Sequence, residues 1–129
     1  MRRFVPVLLA SILLGACSQS GSLTQKNDRT YVVFFPFAST DLDDSANKTI
    51  SQAATYAKKF PEKQVYVKGY AAIYGDLSKD EMMAIQRAKI VAQKVVDDGV
   101  LSNRVHDIPR PPENRKSQVA ARRVEIIVQ

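Results

Sequence analysis

The 129-residue chain has one cysteine, one histidine, five glycines and no tryptophan. A single thiol excludes an internal disulfide. One cysteine and one histidine make no cluster of the kind that holds zinc. The glycines form no phosphate-cradling loop, and no Ser-His-Asp arrangement survives inspection. No internal repeat is present, and no apolar run reaches the roughly 20 residues needed to cross a bilayer as a helix. These absences argue against an enzyme and against any metal or cofactor. His106, in a strand-like segment beside Asp107, reads as structural.

What is present begins with the position of that one cysteine. Met1-Arg2-Arg3 is a short basic start, and Phe4 to Leu14 is an almost unbroken apolar run. The run is too short to span a membrane but has the length of a secretory signal core. Leu14-Gly15-Ala16-Cys17 then places small residues directly before the thiol. This resembles the lipobox of bacterial lipoproteins. The resemblance implies that residues 1–16 are a signal peptide and that Cys17 becomes the acylated first residue of the mature chain. Each buried acyl methylene contributes about 0.8 kcal/mol, so several chains would anchor the protein without a spanning helix. Ser18 stands where Asp would favour inner-membrane retention, so the resemblance implies the outer membrane, with the domain in the periplasm. Loss of Arg2 and Arg3 leaves 17 basic and 13 acidic side chains, a net charge of +4. That mild excess selects no partner class by itself. An exported domain meets anionic envelope polymers first, so nucleic acid is not expected as a partner.

Residues 17–30 comprise the cysteine and the stretch SQSGSLTQKNDRT, which has one leucine and is otherwise small or polar. Such a stretch buries too little apolar surface to order itself and reads as a flexible tether. As a coil it would separate its ends by about 20 Å. Residues 31–129 read as one domain. YVVFFPF, from Tyr31, is a buried strand with Pro36 at its end or on an edge. Asp41 and Asp43 precede a helix whose apolar stripe is Ala46, Ile50, Ala53, Ala54, Ala57 and Phe60; Lys58 and Lys59 close it and Pro61 stops it. QVYVKGY, Gln64 to Tyr70, alternates as a half-buried strand. Ser78-Lys79-Asp80-Glu81 has the form of a capping box, opening a helix with the stripe Ala84, Ala88, Val91 and Val95. Met82 and Met83 read as core or rim packing, and Gly99 as the stop. RVHDI (104–108) and VEIIV (124–128) are two further strands around a Pro-rich basic loop, 109–118. The fold class is α+β, a βαβαββ order making one mixed sheet covered by two helices.

Four segments in this order, FFPFAST, VYVKGYAAIYGD, MAIQRAKIVAQKVVDDGV and ARRVEIIV, resemble the OmpA-like peptidoglycan-binding domain, which also occurs in peptidoglycan-associated lipoproteins. The resemblance covers nearly all of residues 31–129. It implies a ligand, the diaminopimelate of the peptidoglycan stem peptide, which presents a carboxylate and an ammonium close together. The family meets the carboxylate with an arginine, here Arg87, whose planar fork suits bidentate hydrogen bonding. Ser39 and Arg122 help Arg87 at the carboxylate, and Asp80 or Asp76, from the adjacent loop and helix start, offers a substitute charge for the ammonium. The family's ammonium-binding Asp is Ala72 here, and its His, Thr, Ser and Asn positions are Tyr70, Ala71, Ala84 and Ala121. A buried ammonium without a partner would cost about 3–5 kcal/mol. Two functions follow from this. One is a lipid-anchored envelope protein bound non-covalently to peptidoglycan. The alternative, favoured by Ala72, is an accessory lipoprotein of an envelope-spanning assembly that keeps the fold but binds a protein partner.

Overall fold

The computed structural model describes residues 27–70, 77–109 and 122–129. The elements are β1 (Arg29–Phe34), α1 (Asp44–Lys59), β2 (Val65–Gly69), α2 (Leu77–Asp97), a single 3₁₀ turn (Ser102–Arg104), β3 (Val105–Pro109) and β4 (Arg123–Val128). They build the α+β architecture expected from the sequence, a four-stranded mixed sheet with two helices. Its strand order is β1-β4-β2-β3. β4 runs antiparallel to both β1 and β2, whereas β2 and β3 are parallel. The chain therefore leaves β1, β2 and β3 at one end of the sheet and enters β4 at that same end.

Alternation decides which face is covered. Val33 on β1, Val65 and Val67 on β2, and Val124, Ile126 and Val128 on β4 are all buried. They meet Ala46, Ile50, Ala53, Ala54 and Ala57 of α1 and Ala88, Val91 and Val95 of α2 in one core. Small residues on the helices let them lie close to the valine-rich face.

The helix ends obey local chemistry. Asp43 is the N-cap of α1, its Oδ1 accepting from the Ala46 N–H at 2.7 Å. Gly99, at φ +108°, ends the run after α2. Its N–H donates to the Val96 carbonyl and the Val100 N–H to the Val95 carbonyl, the paired bonds of a glycine-stopped helix.

Three expectations shift. β1 starts at Arg29, two residues before the expected Tyr31, because Arg29 and Thr30 pair with Val128 and Ile127 of β4. Tertiary contacts fix this polar stretch: Arg29 lies 4.5 Å from the Tyr56 ring centre, the Tyr56 hydroxyl donates to the Asn27 carbonyl, and Lys63 pairs with Asp28 at 3.2 Å. α2 begins at Leu77, so Ser78 lies in its first turn and not ahead of it. Met82 is 58% exposed, on the solvent side of α2 and outside the core.

Candidate functional site

The end of the sheet where β1, β2 and β3 finish gathers the distinctive chemistry. After β1 the chain makes a tight turn, the Ser39 N–H donating to the Pro36 carbonyl at 3.2 Å. Ala38 in that turn has φ +48°, a left-handed conformation that an L-residue with a β-carbon adopts reluctantly. Phe35, just before the turn, is buried, and Phe37 at its tip is 62% exposed. The Ser39 hydroxyl accepts from the Asp41 N–H at 3.0 Å, tying the turn to the approach of α1.

Arg87 reaches this turn from α2. Its Nε donates to the Ser39 carbonyl at 3.0 Å and its Nη2 to the Pro36 carbonyl at 3.2 Å. Its guanidinium carbon lies 5.1 Å from the centre of the Phe35 ring. The side chain is 1% exposed. A charge can sit this deep only where hydrogen bonds replace its water, and the carbonyls at the two ends of the turn do so.

Arg122 and Arg123 enter β4 at the same end. Arg122 is half-buried, its guanidinium carbon 5.8 Å from the Phe37 ring centre. Its Nε is buried with no hydrogen-bond partner. Its backbone carbonyl accepts from the Phe35 N–H at 2.9 Å, which sets it in register with the turn. Arg123 lies over Tyr70 at 3.8 Å and donates to Glu125 Oε1 at 3.0 Å, while the Tyr70 hydroxyl donates to Glu125 Oε2 at 3.2 Å. Among the described residues, three guanidiniums, each against an aromatic face, thus gather here with the carboxylate of Glu125, both of whose oxygens are engaged. Such a surface suits an anion.

Of the residues the sequence singled out, Arg87, Ser39 and Arg122 converge on this turn. The side chain of Asp80 and all of Ala72 lie outside the described residues, as does most of loop 109–118. Phe37, Tyr70 and Glu125 were not marked as site residues. A signal for Phe37 and Glu125 lies in FFPFAST and RRVE, where an aromatic and an acid neighbour the marked residues. His106 is exposed, stacked on Tyr66 at 5.3 Å and with Nε2 2.9 Å from Gln64 Oε1. Among the described residues no group of His, Cys, Asp or Glu is placed to hold a metal ion, and no helix is long and apolar enough to cross a membrane. Among the described residues, open grooves lie away from Arg87. One, of about 730 Å³, runs between α2 and β3 beside Gln93 and Asp107. Another, of about 460 Å³, lies between α1 and β1 beside Gln52 and Arg29.

Comparison with known proteins agrees with this architecture. The model of the OmpA family matches residues 34–123. The structure resembles the peptidoglycan-associated lipoprotein of Burkholderia pseudomallei, with a TM-score of 0.69 and 20% identity, over 77% of this chain and 90% of that one. It resembles the OmpA-like domain of FopA1 from Francisella tularensis at 0.64 and 21%, over 78% and 72%. The periplasmic domain of Helicobacter pylori MotB gives 0.63 and 20%, over 75% and 67%. No curated protein sequence matches.

Proposed function

This chain belongs to the OmpA family, and from that premise we propose that it is a lipid-anchored envelope protein whose domain grips peptidoglycan non-covalently. The family is one of non-enzymatic structural proteins. In this reading residues 1–16 are removed and acylated Cys17 holds the protein on the outer membrane. Residues between Cys17 and the domain let it stand off into the periplasm. Arg87, Ser39 and Arg122 form the site for the carboxylate of a stem-peptide diaminopimelate, and Asp80, at the start of α2, supplies a substitute charge for its ammonium.

One observation carries the reading: the arginine-rich, aromatic-lined end of the sheet, where Arg87 holds the turn between β1 and α1 through two carbonyls. A fixed cationic surface beside an ordered turn suits a small carboxylate better than a broad protein partner. The likeness to a peptidoglycan-associated lipoprotein supports the fold it would use. Ala72 favours the second reading, an accessory lipoprotein bound to another envelope protein, because a methyl group cannot pair with an ammonium.

Sedimentation with isolated sacculi separates the two. The full chain in detergent is expected to pellet with sacculi, and Arg87→Ala to stay soluble. A wild type that stays in solution while Ala72→Asp pellets would instead mark a site lost from this chain and favour the protein partner.

A further inference from the structure

We infer that the groove between α1 and β1 holds the phosphate headgroup of an anionic phospholipid, gripped by Arg29 and Lys59 at the end of the sheet away from Arg87. The inference goes beyond the wall-binding reading and rests on the lipid-anchored one for the source of its ligand.

In this groove Arg29 and Tyr31 of β1 face Ser51, Gln52, Thr55 and Lys59 of α1. Arg29 and Tyr31 stand two apart on a strand and share one face. Ser51, Thr55 and Lys59 recur every four residues and share one side of the helix. α1 runs back along β1, so both cations come to the end where β1 begins and α1 stops. Among the described residues no carboxylate lines the groove.

Neighbouring cations at this end are committed within the protein. Lys58 donates to the Asp98 carbonyl at 2.9 Å, Lys63 pairs with Asp28 at 3.2 Å, and Arg104 bonds the carbonyls after α1. Arg29 and Lys59 are exposed, and among the described residues neither makes a hydrogen bond or an ion pair. Arg29 is nonetheless held in place. Its guanidinium carbon lies 4.5 Å from the centre of the Tyr56 ring, and Tyr56 is fixed by the Phe60 ring at 4.9 Å and by the Asn27 carbonyl. A guanidinium held by a ring face keeps its N–H donors for other acceptors. A phosphate diester offers oxygens of one charged group to both cations. The glycerol beyond it offers hydroxyls to Ser51, Gln52 and Thr55, with the Tyr31 ring as a wall. A lone carboxylate would use the cationic end and leave those polar groups idle.

The covalent chain supplies the source. Nine residues separate Cys17 from Asn27, so the two stand no more than about 36 Å apart whatever path the chain takes. With Cys17 acylated, the end that carries Arg29 and Lys59 stays within that reach of the leaflet. The wall site lies one strand length further on. Headgroup capture would fix that orientation, with membrane at one end of the sheet and wall at the other.

The test titrates the full chain in nonionic detergent at constant ionic strength, followed by amide NMR. The probes are dihexanoyl phosphatidylglycerol, dihexanoyl phosphatidylcholine, inorganic phosphate and triglutamate. Phosphatidylglycerol is expected to give saturable shifts at Arg29, Ser51, Thr55 and Lys59, and to bind at least about fivefold more tightly than any other probe. Arg29→Gln combined with Lys59→Gln is expected to weaken that binding by roughly tenfold or more, with Tm within about 2 °C of wild type because both side chains are exposed. Lys59→Gln alone, which removes no contact among the described residues, should weaken it by roughly threefold and serves if the double variant unfolds. Phosphatidylcholine binding as tightly overturns recognition by charge. Inorganic phosphate binding as tightly overturns the lipid source, and triglutamate binding more tightly assigns the groove to an acidic peptide instead. No shift at these amides, or folded variants that bind as wild type does, overturns the groove itself. The double variant should still pellet with sacculi, so this inference and the wall-binding reading fail separately. A chain that takes up no fatty acid at Cys17 overturns the anchor and the leaflet as source, while the titration still decides the groove.

Discussion

Gly69, the last residue of β2, lies against the backbone of Ala84 in α2 so closely that a β-carbon there would collide with the Ala84 carbonyl oxygen and stand 3.1 Å from the Ala88 β-carbon. Ala84 is three residues before Arg87, so this contact also sets how far α2 delivers the guanidinium toward the turn. The obstruction is backbone, which cannot rotate aside as a side chain would. Gly69→Ala should therefore push α2 off the sheet at the site end and cost about 1–3 kcal/mol, the usual range for overpacking. For a domain of this size that lowers Tm by roughly 5–20 °C. Differential scanning calorimetry checks it, and an unchanged Tm would mean that the helix does not sit this close.

Arg104 secures the opposite end. In the 3₁₀ turn before β3 it donates from Nη2 to the carbonyls of Ala57 and Phe60 at 2.8 and 2.9 Å, and from Nε to that of Lys63 at 2.9 Å. One of these, the Ala57 carbonyl, lies in the last turn of α1, where it also accepts from the Phe60 N–H of the C-cap. Arg104→Met keeps much of the side-chain bulk and removes the donors; the Ala57 and Phe60 carbonyls keep the Phe60 and Lys63 N–H groups, while the Lys63 carbonyl loses its Arg104 bonds, at about 1–3 kcal/mol. Hydrogen exchange should quicken over the last turn of α1 and the 60–64 segment, with α2 unaffected. Uniform exchange identical to wild type would show the cap to be dispensable.

The anchor has its own test. Cells grown with a clickable fatty acid should label the wild-type chain and not Cys17→Ser, and the variant should leave the membrane fraction. An unlabelled wild type, or equal labelling of both, removes the lipid from the account while leaving the site untouched.

Much of the fold was legible because burying one face writes a period into the sequence. Val65 and Val67 alternate, Ala84, Ala88, Val91 and Val95 recur at helical spacing, and all are buried. Gly99 read correctly as a stop because few other residues take its φ cheaply. Arg29 and Thr30 did not read as strand, since their ordering comes from β4 and Tyr56, far away in the chain.

The site was half legible for the same reason. Resemblance marked Arg87, Ser39 and Arg122, but the atoms Arg87 bonds belong to a turn 48 and 51 residues earlier. Nor does an alanine announce a positive φ. Ala38 carries no sequence signal of the turn that exposes Phe37.

The most direct measurement is a titration of the isotopically labelled full chain with diaminopimelate, followed residue by residue in the NMR spectrum. The account predicts saturable shifts at Phe37, Ala38 and Ser39 and at the Arg122 side chain. Absence of any shift there, or shifts confined to the groove between α2 and β3, would contradict it.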